Sequence, residues 1–141
     1  MQVFKTSTGY VVRLDPGEEI LSTLTKFITD EEIAGGAITG IGAIRNTTIG
    51  YFDLHRKEYS KRRFSDDMEL VNLTGNVTWV EGEPFVHAHV TISGSDFVAH
   101  SGHLFDAEIA VTGEFHLYPT DRRILRAQDE RTGLKLIDGQ G

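Results

Sequence analysis

The chain has 141 residues, 39% hydrophobic and 25% charged, a formal net charge of −7 and no cysteine. That is the length of one domain with a real core and the composition of a soluble globular protein, and no apolar run approaches the roughly 20 residues that span a bilayer. Without cysteine there are no disulfides and no thiolate ligands, so any metal must be held by His, Asp or Glu, and the acidic balance opposes non-specific attraction to nucleic acid or anionic membrane.

Residues 2–14 read as extended, divided near Gly9. The N-terminus lacks the basic-then-apolar build of a signal peptide, so a cytoplasmic protein is the expectation. Asp15-Pro-Gly17 is turn chemistry and a helix entry. From Glu18 to Thr29, Ile20, Leu21, Leu24, Phe27 and Ile28 recur at helical spacing, which predicts an amphipathic helix with its apolar face on the core. Gly40 and Gly42 form a Gly-x-Gly, but the β-branched and aromatic run Asn46-Thr-Thr-Ile-Gly-Tyr-Phe52 follows where a dinucleotide site needs a helix. These glycines are better read as bulges or close backbone approaches within a strand.

Thr47 to Leu54 and Lys57 to Phe64 look like the arms of a hairpin. It carries Arg56, Lys57, Lys61, Arg62 and Arg63, a candidate phosphate-contacting patch whose field Glu58, Asp66 and Asp67 interrupt. Met68 to Val80 reads as one long strand, bulged at Gly75, and Glu81-Gly-Glu-Pro84 turns it back. A strand from Ala107 to Tyr118 follows a connection at Leu104-Phe-Asp106, and Pro119 ends it. The charged tail, 121–141, reads as an extension of the same domain, forming a short hairpin or wrapping a neighbour. About seven strands and one or two helices predict an α+β fold with a mostly antiparallel sheet.

Between Phe85 and His103 lie four of the six histidines. Apolar and polar residues alternate from Val86 to Ser93, so His87 and His89 share one face of a strand and Val86, Ala88, Val90 and Ile92 the other. Ser93-Gly-Ser-Asp96 turns the chain back through His100 and His103. Three neutral imidazoles from adjacent strands suit a divalent transition metal, most plausibly zinc, and three ligands leave a fourth position open for water, phosphate or a small carboxylate. The turn decides the third ligand. Two residues at Gly94-Ser95 place His89 opposite His100; three place His87 opposite His103. Glu69, Glu108 and Glu114 are carboxylates that could accept a proton, and nothing in their spacing selects one. His55 and His116 are distant in sequence and read as structural or exposed.

Four blocks resemble the plants-and-prokaryotes-conserved (PPC) domain: Gly40-Ile-Gly-Ala-Ile-Arg-Asn46, Met68-Glu-Leu-Val-Asn-Leu-Thr-Gly-Asn76, His87-Ala-His-Val90 and Gly102-His-Leu104. Their order and spacing match over residues 3–118, which places a PPC-like domain at 1–120. The resemblance implies an α+β fold, a homotrimer, and a zinc site at the positions of His87, His89 and His103; His100, which stands where the family commonly has an apolar residue, is the substitute ligand. It also implies a DNA-binding label, inherited from plant proteins in which the domain follows an AT-hook. No Arg-Gly-Arg-Pro core is present here, so that label rests on fold analogy. The sequence reading is a homotrimeric metal-binding protein that holds a small anion, more plausibly a binding module than an enzyme. The alternatives are a DNA-binding protein using the basic hairpin and a metal-dependent hydrolase.

Overall fold

A computed structural model describes residues 1–139. Nine strands and one helix follow in the order β1 (Gln2–Thr6), β2 (Gly9–Leu14), α1 (Ile20–Asp30), β3 (Gly36–Asp53), β4 (Glu58–Phe64), β5 (Met68–Val80), β6 (Glu83–Ser93), β7 (Ala99–Pro119), β8 (Arg126–Gln128) and β9 (Lys135–Ile137). The first seven strands form one sheet, ordered β1-β2-β7-β6-β5-β3-β4, and every neighbouring pair is antiparallel. The protein is therefore α+β, as its patterning predicts.

β3 also pairs with β7, so β3, β5, β6 and β7 close into a ring of pairings. Its interior holds the core, in which Ile38, Ile44, Leu70, Leu73, Val90, Ile92, Leu104, Ile109 and Phe115 are at most 3% exposed. Helix α1 covers one end with Ile20, Leu24, Phe27 and Ile28. Its N-cap is Glu19, whose carboxylate accepts from the backbone N–H groups of Leu21 and Ser22. These satisfy two of the donors that every helix start leaves open.

Two strands run further than their sequences suggest. β7 continues through Leu104-Phe-Asp106 without a break, because those residues pair with Ile49 and Thr48 of β3. β3 likewise absorbs the glycine-rich stretch from Gly36 onward. A Cβ at Gly42 would lie 2.2 Å from the carbonyl oxygen of Thr112, so the glycine permits that close approach. The bulge expected at Gly75 lies instead between Leu70 and Asn72. Gly75 sits in regular register opposite Ala88, where a Cβ would meet the His87 carbonyl oxygen at 2.2 Å. At the β5–β6 turn Glu81 and Gly82 have φ of 53° and 91°, the positive pair of a two-residue hairpin that keeps the strands in twist.

The tail folds back as the β8–β9 hairpin, joined to the main sheet by an isolated bridge between Trp79 and Leu125. Among the described residues no helix is long and apolar enough to cross a membrane.

Candidate metal centre

β6 alternates cleanly. Val86, Ala88, Val90 and Ile92 are buried towards the core, and His87 and His89 face the other way. The connection to β7 spans five residues, Gly94 to Val98, since Ser93 pairs with Ala99. Neither the two-residue nor the three-residue turn forms. His89 stands directly opposite His103, so the two side chains project from the same face. His100 stands opposite Ile92 on the core side, its ring 4.9 Å from Phe64, and does not reach the other three.

The ring centroids of His87, His89 and His103 lie 5.2, 5.1 and 5.4 Å apart. One nitrogen from each can be chosen so that all three lie within 4.8 Å of one another. Zn–N bonds of about 2.0–2.1 Å place tetrahedral nitrogens about 3.4 Å apart. The rings therefore need to close by no more than about 1.4 Å.

Burial keeps two of the rings neutral. His87 is pushed down to about 4, chiefly by desolvation and then by the Arg126 charge and His89. His103 is also pushed down to about 4, again first by desolvation and then by His87, His89, Lys61 and Arg126. A neutral imidazole offers a lone pair and an imidazolium does not. Nδ1 of His103 is buried with no hydrogen-bond partner, a polar atom that a protein leaves bare only for a reason. Three converging imidazoles, two of them held neutral by burial, and one orphaned ring nitrogen fit a divalent transition metal.

Comparison with known proteins identifies the family. The model of the Plants and Prokaryotes Conserved (PCC) domain matches residues 1–120. The chain belongs to that family. Among solved structures it is similar to a "putative dna binding protein" from Bacteroides thetaiotaomicron, at 34% identity and TM-score 0.93, covering 97% of this chain and 96% of that one. A metal-containing protein from Archaeoglobus fulgidus is 37% identical, with TM-score 0.85 and coverage of 97% and 99%. A plant- and prokaryote-conserved protein from Pyrococcus horikoshii is 34% identical, with TM-score 0.86 and coverage of 99% and 95%. No functionally curated protein matches the chain.

In this PCC-domain protein the histidines floor a pocket of about 620 Å³. Tyr59, Phe85 and Phe105 stand round them, with the rings of Tyr59 and Phe105 5.2 and 4.9 Å from that of His103. Leu134 and Leu136 of the C-terminal segment form another wall. Arg126, also from that segment, lies with Nη2 3.2 Å from Nδ1 of His87. Sequence reading missed Arg126 and the aromatic wall. A lone arginine in a charged tail carries no spacing signal, and its neighbour is 39 residues away.

The basic hairpin is not one surface. Lys61 sits over the Phe105 ring at 3.7 Å and Arg62 over Phe64 at 4.7 Å, on alternate sides of β4. Arg56 is 3.7 Å from Glu58 and Arg63 3.4 Å from Asp106. Lys57 occupies the turn, at φ 55°. Of the carboxylates, Glu108 is engaged with Arg45 and Asn46, Glu114 with Thr112, and Glu69 pairs with Ser93; none lines the histidine pocket. His55 lies in the β3–β4 turn, and His116 stacks on Tyr118 at the far end of β7.

Proposed function

We propose that the protein is a metal-binding module that holds zinc through His87, His89 and His103 and presents an open coordination position to a small anion. The observation that carries this reading is the set of three histidine nitrogens within 4.8 Å, two of them on rings that desolvation keeps neutral. Imidazole suits zinc among the divalent metals, and three protein ligands leave the fourth site free. The metal-containing relative from Archaeoglobus fulgidus supports it. Elemental analysis of metal-replete protein tests it: about one zinc per chain in the wild type and none in His87→Ala/His89→Ala. A wild type that holds no stoichiometric metal ends the proposal.

The module is read as a cytoplasmic homotrimer. Exposed Ile41, Val71 and Val111 line one shallow depression outside the histidine pocket, apolar side chains that association would cover. Sedimentation at three chain masses is the expected result; a monomer contradicts it.

DNA binding is the second reading, favoured by the description of the Bacteroides relative. The net charge of −7 and the partition of the hairpin cations between carboxylates and aromatic rings weigh against it. A metal-dependent hydrolase is supported less well, because among the described residues no carboxylate lines the pocket to serve as base.

A further inference from the structure

Arg126 belongs to β8, beyond the residues that the family model matches. Its guanidinium is partly desolvated and lies over Phe85, 5.1 Å from the ring centre. Nε donates to Thr78 Oγ1 at 2.7 Å, Nη1 to the Lys135 carbonyl at 2.8 Å, and Nη2 to Asn76 Oδ1 at 3.1 Å. Nη2 also faces Nδ1 of His87 at 3.2 Å. Every partner is uncharged, and among the described residues Arg126 has no ion pair. A partly buried cation with only uncharged partners leaves its charge uncompensated, and an anion among those partners offsets that cost.

The contact with His87 adds a second argument. A guanidinium has donors only, so Nδ1 of His87 accepts and the ring proton sits on Nε2. A metal on Nδ1 would take the same lone pair. With a metal on Nε2, the proton moves to Nδ1 and two donors face each other. Either way the Arg126 contact is given up, which frees an N–H on Nη2 beside the one that Nη1 leaves unused. Two N–H groups on neighbouring guanidinium nitrogens are the recognition element for an oxyanion.

The pocket says what the oxyanion is attached to. Among the described residues Arg126 and Lys135 are its charged lining residues, and no carboxylate lines it although the chain carries −7. Lys135 is already paired with Glu81 at 2.9 Å. The remaining walls include Tyr59, Phe85, Phe105, Leu134 and Leu136, largely apolar surface that inorganic phosphate would leave wet. We propose that this pocket binds a small organic carboxylate with an apolar body, the carboxylate held between the histidine-bound metal and Arg126 and the body against the Leu134–Leu136 wall. The proposal rests on the metal reading given above.

Calorimetry on the full chain tests both, with zinc first and then 3-phenylpropanoate on the zinc-loaded protein. In the wild type 3-phenylpropanoate is expected to bind more tightly than acetate, inorganic phosphate or 3-phenylpropan-1-ol. Arg126→Gln is expected to weaken it by about 10-fold or more, as loss of a charge-assisted pair does, with Arg126→Lys intermediate. Zinc affinity in Arg126→Gln should hold or rise, since a competitor for the His87 lone pair is gone; an arginine that merely props the fold would cost both affinities. Should that variant misfold, Leu136→Ala replaces it, expected to weaken 3-phenylpropanoate and leave acetate unchanged. Failure of the wild type to bind zinc removes the metal reading and this one together. Zinc binding without 3-phenylpropanoate binding, equal binding by Arg126→Gln, or tighter binding of phosphate overturns the carboxylate site alone.

Discussion

Two regions carry conspicuous runs of functional residue types, and the fold treats them in opposite ways. The histidines of β6 and β7 are drawn together, whereas the five cations of the β3–β4 hairpin are dispersed. The cause is parity. His87 and His89 are two apart on one strand and His89 is registered against His103, so all three rings project from one face. Lys61, Arg62 and Arg63 are consecutive, so the pleat sends Arg62 to one side and its neighbours to the other. Proximity in sequence produced a cluster only where strand period and pairing register agreed.

The largest effect should come from the histidines themselves. Replacing His103 by Ala removes one of the three proposed ligands and is expected to weaken zinc by more than about 100-fold, since even an outer-shell partner is worth about 10–100-fold. His100→Ala, three residues away but on the core side, should leave zinc affinity unchanged. A titration in which His100→Ala loses the metal and His103→Ala keeps it would reverse the register on which the comparison stands.

The sequence made the strand character of β6 and its buried face plain, because Val86, Ala88, Val90 and Ile92 alternate without exception. It made α1 plain for the same reason at a different period. The site was less legible. Its third histidine depended on a turn whose length local chemistry does not set: Ser93-Gly-Ser-Asp96 looks like a tight turn, yet Phe97 adopts φ 58° and the loop extends to Val98. The long strands were also hidden, since the cross-strand partners of Leu104 and Asp106 lie more than 50 residues away in β3. Arg126 was beyond reach, because only the folding back of β8 brings it to His87.

The cluster also depends on how closely β5 and β6 pack. Gly75→Ala places a Cβ against the His87 carbonyl, a backbone atom that cannot swing aside. The expected cost is about 1–3 kcal/mol of stability, read as a lower urea midpoint, with weaker zinc binding because β6 is displaced at His87. In the basic hairpin Arg62→Ala should change stability by less than about 0.5 kcal/mol. Equal effects at the two positions would mean that the histidine face is no more tightly specified than the hairpin.

A smaller effect concerns pH. His87 and His103 are held near 4 in the fold, chiefly by desolvation, against about 6.5 in an unfolded chain. Between those values the unfolded chain binds more protons, so stability rises with pH. The contribution is complete above about 6.5 and is lost as pH falls towards 4. Thermal melts of metal-free protein should therefore drop across that window, less steeply in His87→Gln/His103→Gln. A variant whose melting temperature follows the wild-type curve would show that burial of those two rings does not set the slope.

The smallest expected effect distinguishes the two regions as binding surfaces. Each phosphate contact lowers the slope of log affinity against log salt by about 0.9 on duplex DNA, so Arg62→Ala/Arg63→Ala should flatten it by nearly 2 if both arginines reach phosphate. The structure gives Arg63 a carboxylate at 3.4 Å and lays Arg62 on Phe64, so a shared phosphate track would have to break one contact and cross to the other side of the strand. The expected change is close to zero against a background of weak binding. A flattening of nearly 2 units would mean that the hairpin rearranges on DNA, and the contrast drawn from the free protein would then hold only in its absence.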